Sequence, residues 1–568
     1  MARRSYALVF ALCCAPAIPL QGKEPIRTER AVDEALAWLA AHQRSDGVWD
    51  RRGFDQMCPA SDRCSQTAIA LLEHNADIGV SALCAMAFLG AGHTHQDGPY
   101  AEHLSKVFSF ILAKQSSDGS FSHDDRFGTY NDAIAAIAIA EALLATGDPI
   151  LRQPLKSAVA HLAKSQQKGG GWDVTAARSG RNDTTVTTWV LMALKSAEAA
   201  GVTVPISTKF RSLAHFDDAT LPSGRVWYAD KTRGSSIEPS RLLSLDERRF
   251  SPGLTATGLY ARAALGLRLD DAVAIKQVDL LLAELPAIDE LRRPDSNAWY
   301  NEYYWYYGTL AMVQVGGNPL KEWNAALRRT VMEIQERPIT RTGAKRHVYG
   351  SWPAFGKGWG DWGRAGGRIY STAINTLAME AHYGHVPAYL ASPGLLGTLD
   401  LNAYLESLNP KDHGKALALA RRMDPDVGEP VLLELCESIN RDARLHAAEE
   451  LTKMRSPRGI PVLKEGMIDA TPAETEWIEK TLAATVEVRG NQGLGKVVEV
   501  DTKAKMLLFE TSGGHVYYGQ PLGVLRDGRS LGRLRVNRRF TTQRMAAARI
   551  EASEGEPRPG DGVVTIDE

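Results

Sequence analysis

Two kinds of helical pattern alternate between residues 27 and 386, and that alternation narrows the architectures open to the chain more than any other feature. One kind is amphipathic: Leu104, Val107, Phe108, Ile111 and Leu112 fall at i, i+3, i+4, i+7 and i+8, and Ile206, Phe210 and Leu213, or Trp323, Leu327 and Val331, repeat the stripe. The other kind is apolar nearly all round, as in Ile78 to Leu89, Ala133 to Leu144, Val186 to Leu194 and Leu254 to Leu265. A helix of the first kind shows one face to water, whereas one of the second must be covered on several sides. Amphipathic helices begin near residues 27, 100, 150, 205, 271 and 320, and apolar ones near 77, 131, 183, 252, 302 and 369. Six outer-inner hairpins can close on themselves with the apolar helices as a shared inner wall, which removes the exposed ends of a linear solenoid. The fold class expected is mainly α: an (α/α)6 toroid of six helical hairpins over residues 25–392.

The turns carry a repeat of their own. Gln43, Gly47 and Trp49 recur at the same spacing as Gln115, Gly119 and Phe121, and as Gln166, Gly170 and Trp172. A fourth copy is split by an insertion between Gln335 and Gly350-Ser351-Trp352, and Gly224-Arg225-Val226-Trp227 lacks its Gln. Glycine permits the turn, the ring packs on the next hairpin, and the amide can bond helix-end groups. This Gln-x-x-x-Gly-x-Trp/Phe pattern is similar to the repeat of squalene cyclases and protein prenyltransferases. Asp77-Ile78-Gly79-Val80, the stretch Asp183 to Ala197, Tyr303 to Tyr307 and Gly366 to Ala373 resemble segments of bacterial secreted proteins with prenyltransferase and squalene-oxidase repeats. The resemblance covers about residues 25–392 and implies an α/α toroid, with little implied about activity.

After Pro393 the pattern changes. Short helical stretches over 401–487 resemble one or two degenerate HEAT-like pairs, and beyond Gly493 the period moves towards two, with Asp-Gly and Gly-Gly turns. A small C-terminal β-barrel or sandwich of SH3-like or OB-like size is expected over 493–568. The toroid's patterns stop near Pro393, so the later modules are expected to be separable.

Arg3 and Arg4, the apolar run Ala7 to Leu20 and Ala15-Pro16-Ala17 read as a signal peptide over residues 1–22, so export to a periplasmic or extracellular space is expected. In that setting Cys58 and Cys64, close together in a Pro/Ser/Asp loop, are expected to form a disulfide. Cys84 and Cys436 read as buried structural thiols. A formal charge of −1 offers no field to gather nucleic acid or acidic membranes. Seven arginines from Arg526 to Arg544 form a local basic stripe, whose default is a solvated face.

Because each hairpin runs outer to inner, the inner helices gather their N-termini at one mouth, where Asp77, Asp132, Asp183 and Ser371 lie. Capping is the plain reading of these residues, and catalysis the sharper one, with Asp77, Asp132 and Asp183 as candidates. An Asp bonded by several backbone donors at such a position is expected to stay anionic, the wrong state for a general acid. The Asp-x-Asp-Asp that class II terpene cyclases use is missing; Asp124-Asp125, Asp217-Asp218 and Asp270-Asp271 are lone pairs. The Asp-x-Cys of protein prenyltransferases and the Gly-Cys-Gly-Glu-Gln of thioester domains are missing too. His93-Thr94-His95 has no companion ligands, so neither a metal nor another cofactor is expected.

Aromatic residues from Trp299 to Tyr307, with Trp352, Trp359, Trp362, Arg364, Arg368 and Tyr370, could instead line a cleft of the kind glycan-active toroids use. Tyr304, Tyr307, Arg368 and Tyr370 are the ligand-binding candidates, because Tyr and Arg bring polar ends to a buried wall. The function expected is a non-catalytic toroid that binds an extended apolar or glycan ligand or a protein partner. A terpenoid cyclase or prenyl-handling enzyme with a non-standard acid and a glycan-active enzyme are the rivals.

Overall fold

The computed structural model describes residues 25–565 apart from 69–74, 123–125, 230–250, 289–300, 338–345, 355–361, 382–385, 393, 399–412, 424, 438–439, 455, 484–492, 502–504, 512–515, 517–519, 528, 541–544 and 554. The expected signal segment, Asp124-Asp125, Trp299, Tyr300, Trp359 and Arg544 fall outside these residues, as do parts of the expected boundary near 393.

The chain is mainly helical and ends in a six-stranded barrel. Its helices begin with α1 (Pro25–Ala41), α2 (Asp77–Gly90), α3 (Ala101–Lys114), α4 (Gly128–Thr146), α5 (Arg152–Ser165) and α6 (Thr184–Ala199). They continue with α7 (Ile206–Ala219), α8 (Pro252–Leu265), α9 (Ala272–Leu282), α10 (Glu302–Val315), α11 (Gly317–Ile334), α12 (Gly363–Glu380) and the single turn α13 (Ala388–Ala391). Every residue of α2 from Ile78 to Gly90 is buried, while α3 buries only Leu104, Val107, Phe108 and Ile111, so the two sequence patterns correspond to two burial patterns. The buried helices pack in cyclic order: α2 on α4, α4 on α6, α6 on α8, α8 on α10, α10 on α12, and α12 back on α2. No helix among the described residues is long and apolar enough to cross a membrane.

The turn repeat has one geometry in four places. The amide nitrogens of Gln43, Gln115, Gln166 and Gln335 donate to the carbonyls of Gly47, Gly119, Gly170 and Gly350, at 2.8 to 3.2 Å. Each also donates to a carbonyl in the first turns of a following amphipathic helix: His103, Pro154, Thr208 and, for Gln335, Ala31. The four glycines sit at φ near +90°, and a Cβ on any of them would come within 2.4 Å of a backbone oxygen of that same helix. Trp49, Trp172 and Trp352 finish the motif, each ring nitrogen donating at 2.7 Å to a carbonyl of the preceding helix. The split fourth copy is therefore geometrically whole, and it joins the end of the helical series to α1.

Helices α14 (His413–Arg422), α15 (Pro425–Leu435), α16 (Arg441–Lys453), α17 (Ile460–Gly466) and α18 (Pro472–Ala483) follow. Leu417, Ala420, Met423, Leu432, Leu435 and Leu451 share one continuous apolar core with the cyclic helices. Leu267 forms a β-bridge with Met423, and Arg422 pairs with Asp217 at 2.9 Å. Strands β1 (Gly493–Asp501), β2 (Met506–Thr511), β3 (Pro521–Arg526), β4 (Arg529–Phe540), β5 (Met545–Ser553) and β6 (Gly562–Thr565) close as an antiparallel barrel in the order β1-β2-β5-β4-β3-β6. Closure leaves no free edge, and register shifts in β1, β3 and β4 supply the curvature. The barrel has its own core of Val497, Phe509, Leu522, Val524, Leu534, Val536 and Val563. Arg526 pairs with Asp561 and Arg535 with Glu551, so two members of the basic stripe are neutralised within the barrel.

Candidate functional site

Three helices present the same stripe to one cavity. Ala76, Gly79, Val80 and Leu83 of α2 and its cap, and Phe127, Tyr130, Asn131 and Ile134 of α4 and its cap, both follow i, i+3, i+4, i+7; Trp362, Ala365, Gly366 and Tyr370 of α12 follow i, i+3, i+4, i+8. Trp189 of α6, Tyr303 of α10 and Arg51 complete the lining. The volume is about 690 Å³ with its open mouth included, and the wall lies at the N-terminal ends of the buried helices. Trp362 stands edge-on to Phe127 and Tyr130, with centroids 6.0 and 5.8 Å apart, so aromatic faces and edges dominate the wall.

The amide and the charge in this wall are committed, while Tyr303 Oη has no hydrogen-bond partner among the described residues. Asn131 accepts from Gly79 N at 3.0 Å and donates to Asn75 O at 2.9 Å. Tyr130 shares a hydrogen bond with Thr185. Burial holds the Tyr130 and Tyr303 phenols far above their ordinary range, so both stay neutral. The one charged side chain in the described lining is Arg51, buried and donating to Ala365 O at 2.6 Å.

The three expected catalytic aspartates are absent from the lining. Asp183 caps α6 by accepting from Thr185 N and Val186 N, and it pairs with buried Arg181 at 2.9 Å. Asp132 lies within α4, accepts from Phe121 N at 2.6 Å and from Ser120 Oγ, and stands 3.3 Å from His161. Asp77 is the first residue of α2 and faces Arg52 at 3.6 Å and Arg51 at 3.9 Å. Capping thus describes Asp183 alone. For Asp77 the expected lowering does not occur: burial, with Asp50 nearby, raises its pKa against the pull of the two arginines. Ser371 lies four residues past the break in α12 at Gly367, near the start of the helical stretch that follows, and donates to Glu302.

Of the ligand-binding candidates only Tyr370 lines the cavity. Tyr304 turns away and donates to Glu284 O at 2.7 Å. Tyr307 is fully buried against Met192, Tyr303 and Trp189. Arg368 is held by Gln66 Oε1 at 2.7 Å, Ser351 Oγ at 2.9 Å and Ser65 O at 3.2 Å. The cause is a break in α12 at Gly367, φ +66°, where a Cβ would press on Ala68 N and Gln66 O. The residue before the break faces the cavity and the one after it faces the 65–68 loop. The spacing rule for an unbroken helix could not separate the two. Tyr303 and Trp362 come from the wider aromatic set, whereas Tyr130 and Arg51 are lining residues the sequence reading missed; the shared helical stripe was the available signal for Tyr130.

A second cavity, about 440 Å³, lies at the C-terminal ends of the same helices and shares no lining residue with the first. It holds Glu141 and Glu380. Glu141 accepts from Ser196 Oγ and Ala388 N. Glu380, the last residue of α12, has no hydrogen-bond partner among the described residues, and burial raises its pKa well above the ordinary carboxylate value. Buried Lys195 donates to Tyr389 O, and burial lowers its pKa to about 7 against the opposing charge of Glu141.

Cys58 and Cys64 are not bridged: both are free thiols, buried beside His42. His95, set aside from metal binding, pairs with Asp148 at 3.0 Å.

Residues 17–205 match the model of the squalene-hopene cyclase C-terminal domain. Over those residues the chain is similar to that domain. No curated protein matches it significantly. Solved structures similar to the chain include the GH76A α-1,6-mannanase from Salegentibacter sp. HEL1_6, 11% identical over 62% of this chain and 98% of that one, with a TM-score of 0.40. They also include the type II terpene cyclase MstE from Scytonema, 16% identical over 62% and 98% of the two chains, with a TM-score of 0.39. Likeness at that level says nothing about chemistry.

Proposed function

We propose that the chain is an (α/α)6 toroid of six hairpins that binds an extended apolar ligand of the isoprenoid class in the aromatic cavity at the N-terminal mouth of its inner helices. The observation that carries this reading is the composition of the wall: six aromatic rings, with its one charge and its amide already bonded to the protein. An apolar chain gains from burial against such rings, whereas a glycan's many hydroxyls would lose water and meet few partners beyond the Tyr303 phenol. The similarity of residues 17–205 to a cyclase of an isoprenoid hydrocarbon supports the same ligand class.

No carboxyl stands in the described lining to protonate a bound alkene, so binding without cyclisation is the reading favoured. A catalytic version has one observation in its favour, the buried, unpartnered Glu380 carboxyl with its pKa raised, and would place its substrate in the smaller cavity. Export is part of the proposal, as is the use of the HEAT-like helical segment over 401–487 and the barrel over 493–568 as interaction surfaces.

The test is a titration of tryptophan fluorescence, with Trp189 and Trp362 in the wall, using farnesol, geranylgeraniol and squalene against manno- and gluco-oligosaccharides. Saturable quenching by the isoprenoids alone, lost on filling the cavity with Leu83→Trp, is expected. Saturable binding of an oligosaccharide, or isoprenoid binding unchanged in Leu83→Trp, would overturn the reading.

A further inference from the structure

We propose that His42, Cys58, Cys64 and His347 form a structural site for a zinc-class divalent cation. One ligand atom from each of the four lies within 4.8 Å of the others, and His42, Cys58 and Cys64 are buried. Zn–S and Zn–N bonds of about 2.3 and 2.0–2.1 Å at tetrahedral angles put neighbouring N and S ligands about 3.6 Å apart. The separations here are 3.3 Å for His42 Nε2 to Cys58 Sγ, 3.4 Å for His42 Nε2 to Cys64 Sγ and 3.6 Å for His347 Nδ1 to Cys64 Sγ. The pair of imidazole rings meets edge to face, centroids 4.7 Å apart, as two ligands on adjacent corners would.

The surrounding bonds point the same way. His42 Nδ1 lies 2.7 Å from Trp38 O, so that nitrogen carries the proton and Nε2 turns a bare lone pair towards the sulfurs. One lone pair can accept from only one thiol hydrogen, yet both sulfurs address it. Cys64 N donates to Cys58 Sγ at 3.3 Å, a bond that favours a thiolate there. Asp62 accepts from His347 N at 2.6 Å and so fixes the backbone that delivers the fourth ligand. Two thiol hydrogen bonds, Cys58 to His42 and Cys64 to His347, would leave the 3.4 Å approach of Cys64 Sγ to His42 Nε2 without a proton, whereas a cation engages all four ligand atoms together. Two sulfurs and two imidazoles select zinc-class ions over calcium or magnesium, and four protein ligands leave no open position, which is the pattern of a structural site.

The site joins segments from the two ends of the cyclic helices, since His347 is 283 residues from Cys64. Residues just past Cys64 then build the cavity wall: Gln66 O accepts from Arg368 N at 2.9 Å, and Ala68 N donates to Arg51 O. The cation would thus pin the loop that positions Arg51 and the break in α12.

The experiment measures zinc and thiols in the full chain purified without chelator. The result expected is one zinc per chain, Cys58 and Cys64 shielded from alkylation until a chelator is added, and a tetrahedral cobalt spectrum with sulfur-to-metal charge transfer on exchange. Cys58→Ser should abolish the shielding of Cys64. His347→Ala, which leaves the backbone bond to Asp62 in place, should weaken zinc binding more than the roughly 10- to 100-fold that outer partners cost. If Cys58→Ser fails to fold, His347→Ala still decides. Zinc held equally well by His347→Ala, or metal-free protein whose peptide map shows Cys58 disulfide-bonded to Cys64, would overturn the proposal.

Discussion

Gln335 donates to the carbonyl of Ala31 at 2.7 Å across 304 residues of sequence, and the same amide donates to Gly350 O at 2.9 Å. Both acceptors are backbone oxygens in a buried turn, so removing the amide leaves them without it. Gln335→Ala should lower stability by about 1–3 kcal/mol. Gly350→Ala should cost more, because its φ of +89° is strained for alanine and the new Cβ would lie 2.4 Å from Glu34 O. Urea unfolding followed by circular dichroism measures both, and a neutral Gly350→Ala would contradict the packing described.

Glu380 gives the chain a pH-dependent liability. Its folded-state pKa is raised by burial above the model-peptide value of 4.5, so between those two values the folded chain holds a proton that the unfolded chain releases. Stability from this group is full below about pH 4.5 and declines as pH rises. Lys195 works in the opposite sense: with a folded pKa of about 7 against 10.5, it favours the folded state increasingly as pH rises from 7 to 10.5. Glu380→Gln removes the first slope and keeps the second. Unfolding free energies from pH 5 to 6, where Lys195 is mostly charged in both states, should decline less steeply in the variant than in the parent. Parallel curves would show that Glu380 is ionised in the folded protein.

The helical alternation and the turn repeat were legible because each hairpin solves the same local problem. Gln43, Gly47 and Trp49 sit within one turn, and their bonds reach helices whose own stripes are visible at i, i+3 and i+4. Of the four ligand candidates Tyr370 lines the cavity, and Tyr303 and Trp362 join it from the wider aromatic set. Arg368 was misplaced because Gly367 breaks the helix that the spacing assumes, and Asp132 because its partners Phe121 and His161 lie outside its helix. The cysteine pair suggested a disulfide because both residues share one loop, whereas His42 and His347 join them only through the fold.

The shared apolar core of α8, α14 and α15 bears on separability. Ending the chain after residue 398 would expose Leu265 and Leu267 where Leu417, Ala420 and Met423 now belong to the same core, and strand Asp217 from Arg422. Ending it after residue 483 removes the barrel, which has its own core. The longer fragment should unfold near the parent's midpoint and the shorter one at a clearly lower temperature or as aggregate. Equal thermal midpoints for the two fragments would mean that α14 to α18 add nothing to the helical core.

Asp183 separates a structural aspartate from a catalytic one. Its carboxylate caps α6 through Thr185 N and Val186 N, accepts from Thr185 Oγ1 at 2.6 Å and pairs with Arg181, whose side chain is buried. Asp183→Asn keeps the shape but leaves the Arg181 charge with Asp173 as its remaining carboxylate neighbour. Breaking a buried pair in this way typically costs about 3–5 kcal/mol, and the surviving Asp173 contact should hold the loss towards the lower figure. Ligand affinity measured well below the unfolding midpoint should stay within about twofold of the parent, because Asp183 does not touch the cavity. Incubation with squalene, oxidosqualene and prenyl diphosphates should give no cyclised product from the parent, nor from Asp77→Asn, Asp132→Asn or Asp183→Asn. Turnover by the parent that one of these substitutions abolishes, with the variant still folded, would make that carboxyl the acid and the chain an enzyme.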